Sequence, residues 1–434
     1  MIVDLERTLL RSDPVLEALF AISKRSPTLA FRLLLGSSAG GAGAAAALEQ
    51  IEDLDAASLP YDQAALLRIE GERARGRPIW LVSDRFRVYA LRIAEHLNLF
   101  DRVIVSGSID ADTEALRADS VREFAAVQDD RRQSSRAARL RRRIWAWRKA
   151  VRLHQWTKNV LLFVPLFASH RMRERGLALD EALAFVLFGL CASSVYLLND
   201  LLDVSDDRHH PKKRLRPLAA GQIRAAHVLA VFPLLVAVSF LGAWWLLPPR
   251  FAAALGAYYL ITLAYSLALK RVMMLDVVVL AALYTLRIVA GAYAIGGQLT
   301  FWMLAFSMFV FTSLALAKRY AELHGARFAG REAKVRGRGY FRDDLPMIAS
   351  LGAASGYISV MVLALYIQDQ TTTALYRHPK LIWFACPLLL FWIGRTWMLT
   401  HRGEMSEDPV VFAITDRTSI VVAVLFGLIF ALAA

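Results

Sequence analysis

The sequence predicts an all-α polytopic membrane domain of about nine transmembrane helices, preceded by a soluble α/β domain. The first supporting observation is composition. The 434-residue chain is 56% hydrophobic and 21% charged, with a mean hydropathy of +0.40, which is too apolar for a soluble protein of this length. The second is that apolar residues from Trp156 onward form runs of about 17 to 25 residues, long enough to cross the hydrocarbon as helices.

The apolar runs define three regions of the chain. The predicted spans cover residues 156–171, 179–200, 225–247, 251–270, 274–296, 299–318, 345–367, 380–400 and 417–433. We therefore expect a soluble domain at residues 1–130, a basic amphipathic linker at 131–152 and a transmembrane domain at 153–434. The linker interleaves ten basic residues with Trp145 and Trp147, a composition typical of a helix lying on an anionic membrane surface.

The distribution of charge predicts the partners and the orientation. The formal net charge of +14 is concentrated in the linker and in the loops after the second and sixth spans, so anionic lipid and phosphorylated substrates are expected rather than nucleic acid. The first residues lack a signal-peptide pattern. The positive-inside rule then predicts a multi-pass protein of the inner (plasma) membrane, with its soluble domain and site on the cytoplasmic face. Arg171, Arg173 and Arg175 oppose this orientation.

Acidic side chains are concentrated at the end of the second span. On a continuous helix, Asn199, Asp203 and Asp207 recur every four residues and Asp200 lies seven before Asp207, so all four would share one face. Several carboxylates at a membrane boundary repel one another and are costly to desolvate. The pattern therefore predicts an oxygen-ligand site for Mg²⁺, which protein carboxylates share with substrate phosphates.

A basic run follows the acidic segment directly. Lys213, Arg214 and Arg216 lie between Pro211 and Pro217, whose rings restrict the backbone. Cations of this kind form charge-assisted hydrogen bonds to phosphate oxygens. Acid for a metal and base for phosphate within one short stretch indicates diphosphate chemistry.

The stretch from Tyr196 to Gly221 resembles the NDxxDxxxD region of the intramembrane prenyltransferase superfamily named after 4-hydroxybenzoate polyprenyltransferase. Further matching segments are 154–159, 265–271, Asp276 and 286–291, so the resemblance covers about residues 150–434. It implies a nine-helix membrane transferase that uses Mg²⁺ and a phosphorylated isoprenoid.

One motif departs from typical members of this superfamily. Typical members have a second aspartate-rich motif after the sixth span. At the corresponding place this chain reads Ala317-Lys318-Arg319-Tyr320-Ala321-Glu322-Leu323, with two cations in place of carboxylates. This string and the basic run resemble the branch that makes decaprenylphosphoryl-5-phosphoribose. The resemblance implies Mg²⁺-dependent transfer of 5-phosphoribosyl from phosphoribosyl pyrophosphate to a polyprenyl phosphate, releasing pyrophosphate, in cell-envelope biosynthesis.

The resemblance also implies roles for individual residues. Asp200, Asp203 and Asp207 would be the catalytic metal ligands, with Asn199 orienting. Substrate contacts would come from Lys158, Asn159, Lys213, Arg214, Arg216, Tyr265, Lys270, Arg271, Asp276, Lys318, Arg319, Tyr320 and Glu322. For Lys270 and Arg271, anchoring at the membrane surface is the competing interpretation. Arg287, a charge within a span, is expected in a structural ion pair. The polar stretch 404–417 is open between a surface loop and part of the site.

Two other functions remain open at the level of sequence. The first is a prenyltransferase that moves a polyprenyl group from its diphosphate to an aromatic acceptor, which the missing second aspartate-rich motif disfavours. The second is a membrane transporter, whose helices also carry charges within the bilayer. A homo-oligomer is also left open.

The soluble domain resembles haloacid-dehalogenase-type phosphatases more weakly. Asp4 stands at the nucleophile position, and Glu6 stands where a second aspartate is usual. Ser83 matches the phosphate-binding hydroxyl, and Asp129 lies in a stretch that departs from the usual final acidic motif. Because several of these positions deviate, the resemblance implies a degenerate domain without phosphatase activity.

Overall fold

The computed structural model describes residues 1–12, 56–83, 87–105, 136–169, 171–210, 212–328, 339–369, 376–405 and 408–434. These residues divide into two compact units. The front unit comprises Met1–Arg152 and Tyr196–Leu234, and the helical unit comprises Leu153–Val195 and Leu235–Ala434. The predicted domain boundaries stay predictions, and residues 196–234 of the predicted transmembrane domain belong to the front unit.

The front unit contains a three-stranded parallel sheet in the order β1-β2-β3. Its strands are β1 (Ile2–Asp4), β2 (Trp80–Ser83) and β3 (Arg102–Val105), and helices α1 (Gln63–Ala74) and α2 (Arg87–Leu97) connect or flank them. Val3 pairs with Leu81, and both side chains are fully buried beside Ile69 of α1 and Ile93 of α2. Strands and helices alternate here, while the haloacid-dehalogenase relationship stays a prediction.

The basic linker forms helix α3 (Arg136–Ala150), and residues 131–135 lie outside the described part. The small side chains of Ala146 and Ala150 are buried, whereas Leu140, Ile144 and Trp145 are exposed. The helical part of the linker prediction is therefore present in the structure. Its placement on a membrane surface stays a prediction.

The described residues from 164 onward are mostly helical. The helices are α4 (Val164–Ala168), α5 (Arg175–Leu202), α6 (Val204–His209), α7 (Ala225–Leu246), α8 (Pro249–Leu267), α9 (Leu275–Ala294), α10 (Phe301–Phe328), α11 (Leu345–Gln368), α12 (Ala385–His401), α13 (Pro409–Thr415) and α14 (Arg417–Ala433). Of these helices, α6 and parts of α5 and α7 belong to the front unit. Within the helical unit, α9 packs against α8 and α10, and α10 packs against α11.

Among the described residues, six helices are long and apolar enough to cross a membrane, and seven if the bent pair α13 and α14 counts as one span. The expectation of nine spans is therefore met only in part. The first predicted span is a 3-10 run, Leu153–Phe163, followed by the five-residue α4. Lys158 and Asn159 are buried within that run, so their polar groups require partners that a lipid-facing helix would not supply. The fourth, α8, is helical but is not one of the six.

A glycine allows the 3-10 run to lie directly against α9. A Cβ atom on Gly291 would stand 2.0 Å from the carbonyl oxygen of Leu162, which no side chain could tolerate without a backbone shift. This contact lies one turn of α9 after Arg287. It explains why a glycine, and not even an alanine, occupies this position of α9.

Candidate active site

The predicted acidic stripe is interrupted in the structure. Helix α5 ends at Leu202 and α6 begins at Val204, with Asp203 between them at φ −99° and ψ 9°. Backbone hydrogen bonds bridge the break, because the amide of Asp203 donates to Asn199 and that of Asp207 donates to Asp203. The side chain of Asp203 forms no ion pair among the described residues. The shared face of Asn199, Asp200, Asp203 and Asp207, and the metal role of Asp203, therefore stay predictions.

Asp200 and Asp207 do come together, through Arg216. Its Nη1 lies 3.2 Å from Oδ1 of Asp200 and 2.5 Å from Oδ2 of Asp207. Arg152, at the end of the linker, places Nη2 2.6 Å from the same Asp200 oxygen, and its guanidinium stacks over the ring of Tyr196 at 4.9 Å. The sequence predicted Arg216 in this site but gave no signal for Arg152.

The other basic residues of this loop contribute less. Lys213 Nζ is 4.0 Å from Oδ1 of Asp207, and its side chain is about half exposed. Arg214 is exposed and forms no ion pair within the described part of the chain. Arg216 follows the short 3-10 turn Lys213–Leu215, and the backbone amide of Arg216 donates to the carbonyl of Lys213. The loop therefore directs one arginine toward the carboxylates and leaves the remaining cations facing outward.

Both carboxylates are buried, at 5% exposure for Asp200 and 2% for Asp207. Burial raises the pKa of Asp207 above its ordinary value, and the adjacent Arg216 guanidinium opposes that rise. A carboxylate in this environment gains from any additional cation. The described residues hold no group of three or more His, Cys, Asp or Glu side chains with metal-ligand geometry. Two carboxylates close enough to share one cation nevertheless suit Mg²⁺, whose remaining ligands are ordinarily water and substrate phosphate.

The helical unit contains a second charged cluster, centred on Arg319 of α10. Arg319 Nε contacts Oδ2 of Asp276 at 2.6 Å, with 1% and 0% of the two side chains exposed. Arg319 Nη1 donates to Glu322 Oε2 at 2.6 Å, and Nη2 donates to the hydroxyl of Tyr265 at 2.8 Å. Tyr340 donates to the other oxygen of Asp276 at 2.6 Å. Two carboxylates and a tyrosine thus surround the guanidinium of Arg319, and its predicted contact to phosphate stays a prediction.

Lys318, the neighbour of Arg319, belongs to a different group. Both Lys158 of the 3-10 run and Lys318 direct their ammonium groups at Oδ2 of Asp408, Lys318 at a distance of 3.7 Å. Burial raises the pKa of Asp408, but the two ammonium groups outweigh this effect and hold the pKa below its ordinary value. Asp408, in the stretch left open by the sequence, therefore joins two predicted site residues from distant parts of the chain.

Asn159 and Arg287 form a third buried contact. Arg287 Nε donates to Oδ1 of Asn159 at 3.3 Å, and Nη2 donates to the hydroxyl of Tyr258 at 3.1 Å. The rings of Phe188, Tyr258 and Tyr284 lie within 5.4 Å of its guanidinium carbon. Arg287 Nη1 donates to the carbonyl oxygen of Leu283. Within the described residues Arg287 contacts no carboxylate, so the expectation of an ion pair for Arg287 is wrong there.

The remaining predicted residues of α8 to α10 lie near these clusters or at the surface. Tyr320 contacts Nδ1 of His401 through its hydroxyl at 2.9 Å, so it binds to α12 rather than to a charged site. Lys270 and Arg271 lie in the short 3-10 turn Leu269–Arg271, and Arg271 is exposed. Membrane-surface anchoring and phosphate contact remain alternatives for these two cations.

In the front unit, the hydroxyl of Ser83 donates to Oε1 of Glu6 at 2.7 Å. Asp4 is fully buried and accepts a hydrogen bond from the backbone amide of Arg7 at 2.6 Å. Asp4 ends β1, Ser83 ends β2 and Glu6 lies in the helical turn that follows β1, while the roles that the resemblance implies for them stay predictions. Asp129 lies outside the described residues.

Several long apolar helices that enclose buried charge define a multi-pass membrane protein, and comparison with known proteins identifies its class as a transferase. The chain belongs to the UbiA prenyltransferase family, which matches residues 162–433. A UbiA homologue from Archaeoglobus fulgidus solved with DMAPP and Mg²⁺ has the same fold, with a TM-score of 0.50 and 16% identity over 66% of this chain and 97% of that one.

The chain is similar in sequence to three known proteins over most of the length of each. The uncharacterized protein y4nM of Sinorhizobium fredii is 33% identical over 100% of this chain and 90% of its own length. Nodulation protein NoeC of Azorhizobium caulinodans is 35% identical over 65% of this chain and 92% of its own. Decaprenyl-phosphate phosphoribosyltransferase of Mycobacterium tuberculosis is 32% identical over 62% of this chain and 87% of its own. The match to y4nM therefore includes residues 1–161, which the family match does not.

Proposed function

We propose that this protein transfers a 5-phosphoribosyl group from phosphoribosyl pyrophosphate to a polyprenyl phosphate, with Mg²⁺ as its cofactor. The observation that carries the proposal is the cluster of Lys158 and Lys318 around Asp408. Typical prenyltransferases of this family would need a second set of metal-binding carboxylates near Lys318. An excess of cation there instead suits a second phosphorylated substrate. Similarity to decaprenyl-phosphate phosphoribosyltransferases supports the same assignment.

Asp200 and Asp207 are the residues that would hold Mg²⁺. The bound ion would supply charge neutralisation for the departing pyrophosphate. Arg216 contacts both carboxylates, and Arg152 contacts the same Asp200 oxygen from another segment of the chain. These two arginines therefore keep the carboxylates in place. Lys213 and Arg214 lie on the exposed side of the loop. In this proposal they bind the outer phosphate oxygens of the substrate.

The reaction requires one bond to form and one to break. A phosphate oxygen of the polyprenyl phosphate attacks the anomeric carbon of the ribosyl group, and the bond from that carbon to pyrophosphate breaks. Pyrophosphate leaves with the electron pair, and positive charge develops on the sugar ring in between. The nucleophile is already an anion at neutral pH, so a general base is not required.

The proposed substrate also bears on the orientation of the protein in its membrane. We place the protein in the inner (plasma) membrane with the front unit and the site on the cytoplasmic face, where phosphoribosyl pyrophosphate is available. The front unit is proposed to be a haloacid-dehalogenase-like domain without phosphatase activity, because Glu6 holds the hydroxyl of Ser83 in a hydrogen bond. A membrane transporter is not proposed, since the family assignment makes the chain a transferase.

The test is an assay of the purified protein with Mg²⁺, phosphoribosyl pyrophosphate and a polyprenyl phosphate. We expect mass spectrometry to detect a phosphoribosyl lipid and pyrophosphate, and EDTA to abolish both. The inactive control is an Asp200→Asn/Asp207→Asn double variant, checked for folding by its elution volume and thermal unfolding midpoint. Absence of the product with the wild-type protein, under conditions in which a prenyl diphosphate is consumed, contradicts the proposal.

One observation favours a second candidate, prenyl transfer to an aromatic acceptor. The 4-hydroxybenzoate octaprenyltransferase of Azotobacter vinelandii is 33% identical over 37% of this chain. The same assay, run with a polyprenyl diphosphate and 4-hydroxybenzoate, separates the two functions. Formation of a prenylated aromatic acid would favour the second candidate.

A further inference from the structure

We propose that Lys158 and Lys318 form a binding site for a phosphate monoester, and that Asp408 is the fixed counter-ion that positions both ammonium groups. The inference deepens the proposed function and rests on it for the identity of the substrate. It adds a positioning role for Asp408, a residue of the stretch that the sequence left open between a surface loop and the site.

The orientation of Asp408 is set by its two oxygens having different partners. Its Oδ1 accepts hydrogen bonds from the backbone amides of Val410 and Val411, which caps the short helix α13. Its Oδ2 forms ion pairs with the ammonium groups of Lys158 and Lys318. Because the cap prevents the carboxylate from rotating, the point at which the two ammonium groups meet is fixed by the backbone of α13.

The charge of this cluster is unbalanced. In the contacts between described residues, two ammonium groups meet one carboxylate oxygen, so cations outnumber acids there in a largely buried setting. The side chains of Lys158, Lys318 and Asp408 are 9%, 24% and 16% exposed. The ammonium group of Lys318 lies 3.7 Å from the Asp408 oxygen, which is too far for a hydrogen bond within the described part of the chain. A partly buried ammonium in this position can donate to an anion.

The neighbouring Arg319 cluster has the opposite balance. There, one guanidinium contacts two carboxylates, those of Asp276 and Glu322, and is 1% exposed. Charge around α10 is therefore separated into an acid-rich group at Arg319 and a cation-rich group at Lys318. An incoming phosphate is repelled by the first group and attracted to the second, so the pair of lysines is the expected position of the anion.

The chemistry of the ligand is a phosphate monoester dianion. Two ammonium groups can each donate to different oxygens of such a group. Both substrates of the proposed reaction carry one: the head group of a polyprenyl phosphate and the 5-phosphate of phosphoribosyl pyrophosphate. Kinetic measurements with each substrate varied in turn distinguish these two sources.

The substitutions that test the site are Asp408→Asn and Asp408→Glu, with Asp416→Asn as the matched control. Asp416 also caps a helix, α14, accepts from the amide of Ser419 and forms an ion pair with Arg395. Its side chain is 17% exposed, compared with 16% for Asp408, but it contacts neither lysine. The pair of variants thus removes the same type of carboxylate with and without the two ammonium groups.

Two readouts separate positioning from folding. The first is the KM and kcat of phosphoribosyl transfer for each substrate. The second is equilibrium binding of a polyprenyl phosphate and of the corresponding polyprenyl alcohol in detergent micelles, measured by tryptophan fluorescence without phosphoribosyl pyrophosphate. We expect Asp408→Asn to raise the KM of one substrate about tenfold or more, with a smaller change in kcat. Asp408→Glu should recover part of this loss, and Asp416→Asn should leave the KM unchanged.

The binding arm keeps this inference separate from the proposed function. If the lipid phosphate is the ligand, Asp408→Asn weakens binding of polyprenyl phosphate but not of the alcohol. If the 5-phosphate is the ligand, Asp408→Asn raises only the KM of phosphoribosyl pyrophosphate. Either of these two results supports the site. Equal losses in Asp408→Asn and Asp416→Asn, or an unchanged KM for both substrates with unchanged lipid binding, overturn it. Selective lipid-phosphate binding without any phosphoribosyl transfer retains the site and rejects the proposed function alone.

Discussion

The substitution Asp276→Asn removes one charge from a fully buried ion pair while nearly preserving the shape of the side chain. In the wild-type protein, Arg319 Nε lies 2.6 Å from Oδ2 of Asp276, and neither residue is more than 1% exposed. Asparagine can still accept the hydrogen bond from the Tyr340 hydroxyl, which is 2.6 Å long. The change therefore isolates the charge of Asp276 from its packing.

The expected cost follows from the partners that Arg319 retains. Removing one partner of a buried pair typically costs about 3–5 kcal/mol, because an uncompensated charge remains in a medium of low polarity. Arg319 keeps Glu322, whose side chain is 25% exposed, and the hydroxyl of Tyr265. We therefore expect the lower end of that range, about 3 kcal/mol, for Asp276→Asn. The converse variant, Arg319→Met, leaves Asp276 without a cation and should cost about 3–5 kcal/mol.

The assay is reversible unfolding by SDS in mixed micelles, followed by tryptophan fluorescence. The double variant Asp276→Asn/Arg319→Met removes both charges, so its loss should be smaller than the sum of the two single losses by at least about 1 kcal/mol. Glu174→Gln, which breaks an exposed pair with Arg171, is the control and should leave the unfolding free energy unchanged. Strictly additive losses, or a loss below about 1 kcal/mol for Asp276→Asn, would refute the reasoning.

Three further predictions follow from the same structure. Gly291→Ala should lower the unfolding free energy by about 1–3 kcal/mol, because the new Cβ would stand 2.0 Å from a backbone oxygen, whereas Gly256→Ala, with 3.8 Å of clearance, should not. Arg216→Met should reduce phosphoribosyl transfer at least about tenfold and raise the Mg²⁺ concentration needed for half-maximal activity, while the exposed Arg214→Met changes either quantity less. The pKa of Asp408 is lowered in the folded protein, so its ion pairs stabilise fully above the unfolded pKa of about 4 and are lost as the pH falls through the folded value. Melting curves from pH 6 downward should therefore show a smaller acid destabilisation for Asp408→Asn than for the wild type, and equal slopes would contradict this assignment.

Much of the helical architecture was predictable because membrane insertion depends on local composition. The apolar runs that correspond to α5, α7, α9, α10, α11 and α12 all form helices, although α10 continues to Phe328, beyond its predicted end at residue 318. The expectation failed where polar residues interrupt an apolar run. At Lys158 and Asn159, buried partners from other segments determine the backbone, and the window of sequence around them contains no information about those partners.

The acidic segment shows the same division at the level of the site. Its residue types and its basic neighbour were sufficient to indicate diphosphate chemistry, and Asp200, Asp207 and Arg216 do lie together. Helical periodicity alone also included Asp203, because it assumed a continuous helix. The structure has a break between α5 and α6 at Asp203, which periodicity did not predict, and the role of Asp203 stays a prediction.

The sequence by itself determined which chemical groups this protein has and that most of them lie in or beside membrane helices. Only the tertiary structure decided how the charges are paired. Lys158 and Asp408 are 250 residues apart, and adjacent Lys318 and Arg319 belong to two different clusters. The physical reason is that insertion and helix formation are summed over neighbouring residues, whereas a buried ion pair depends on the distance between two atoms, which the packing of several helices sets.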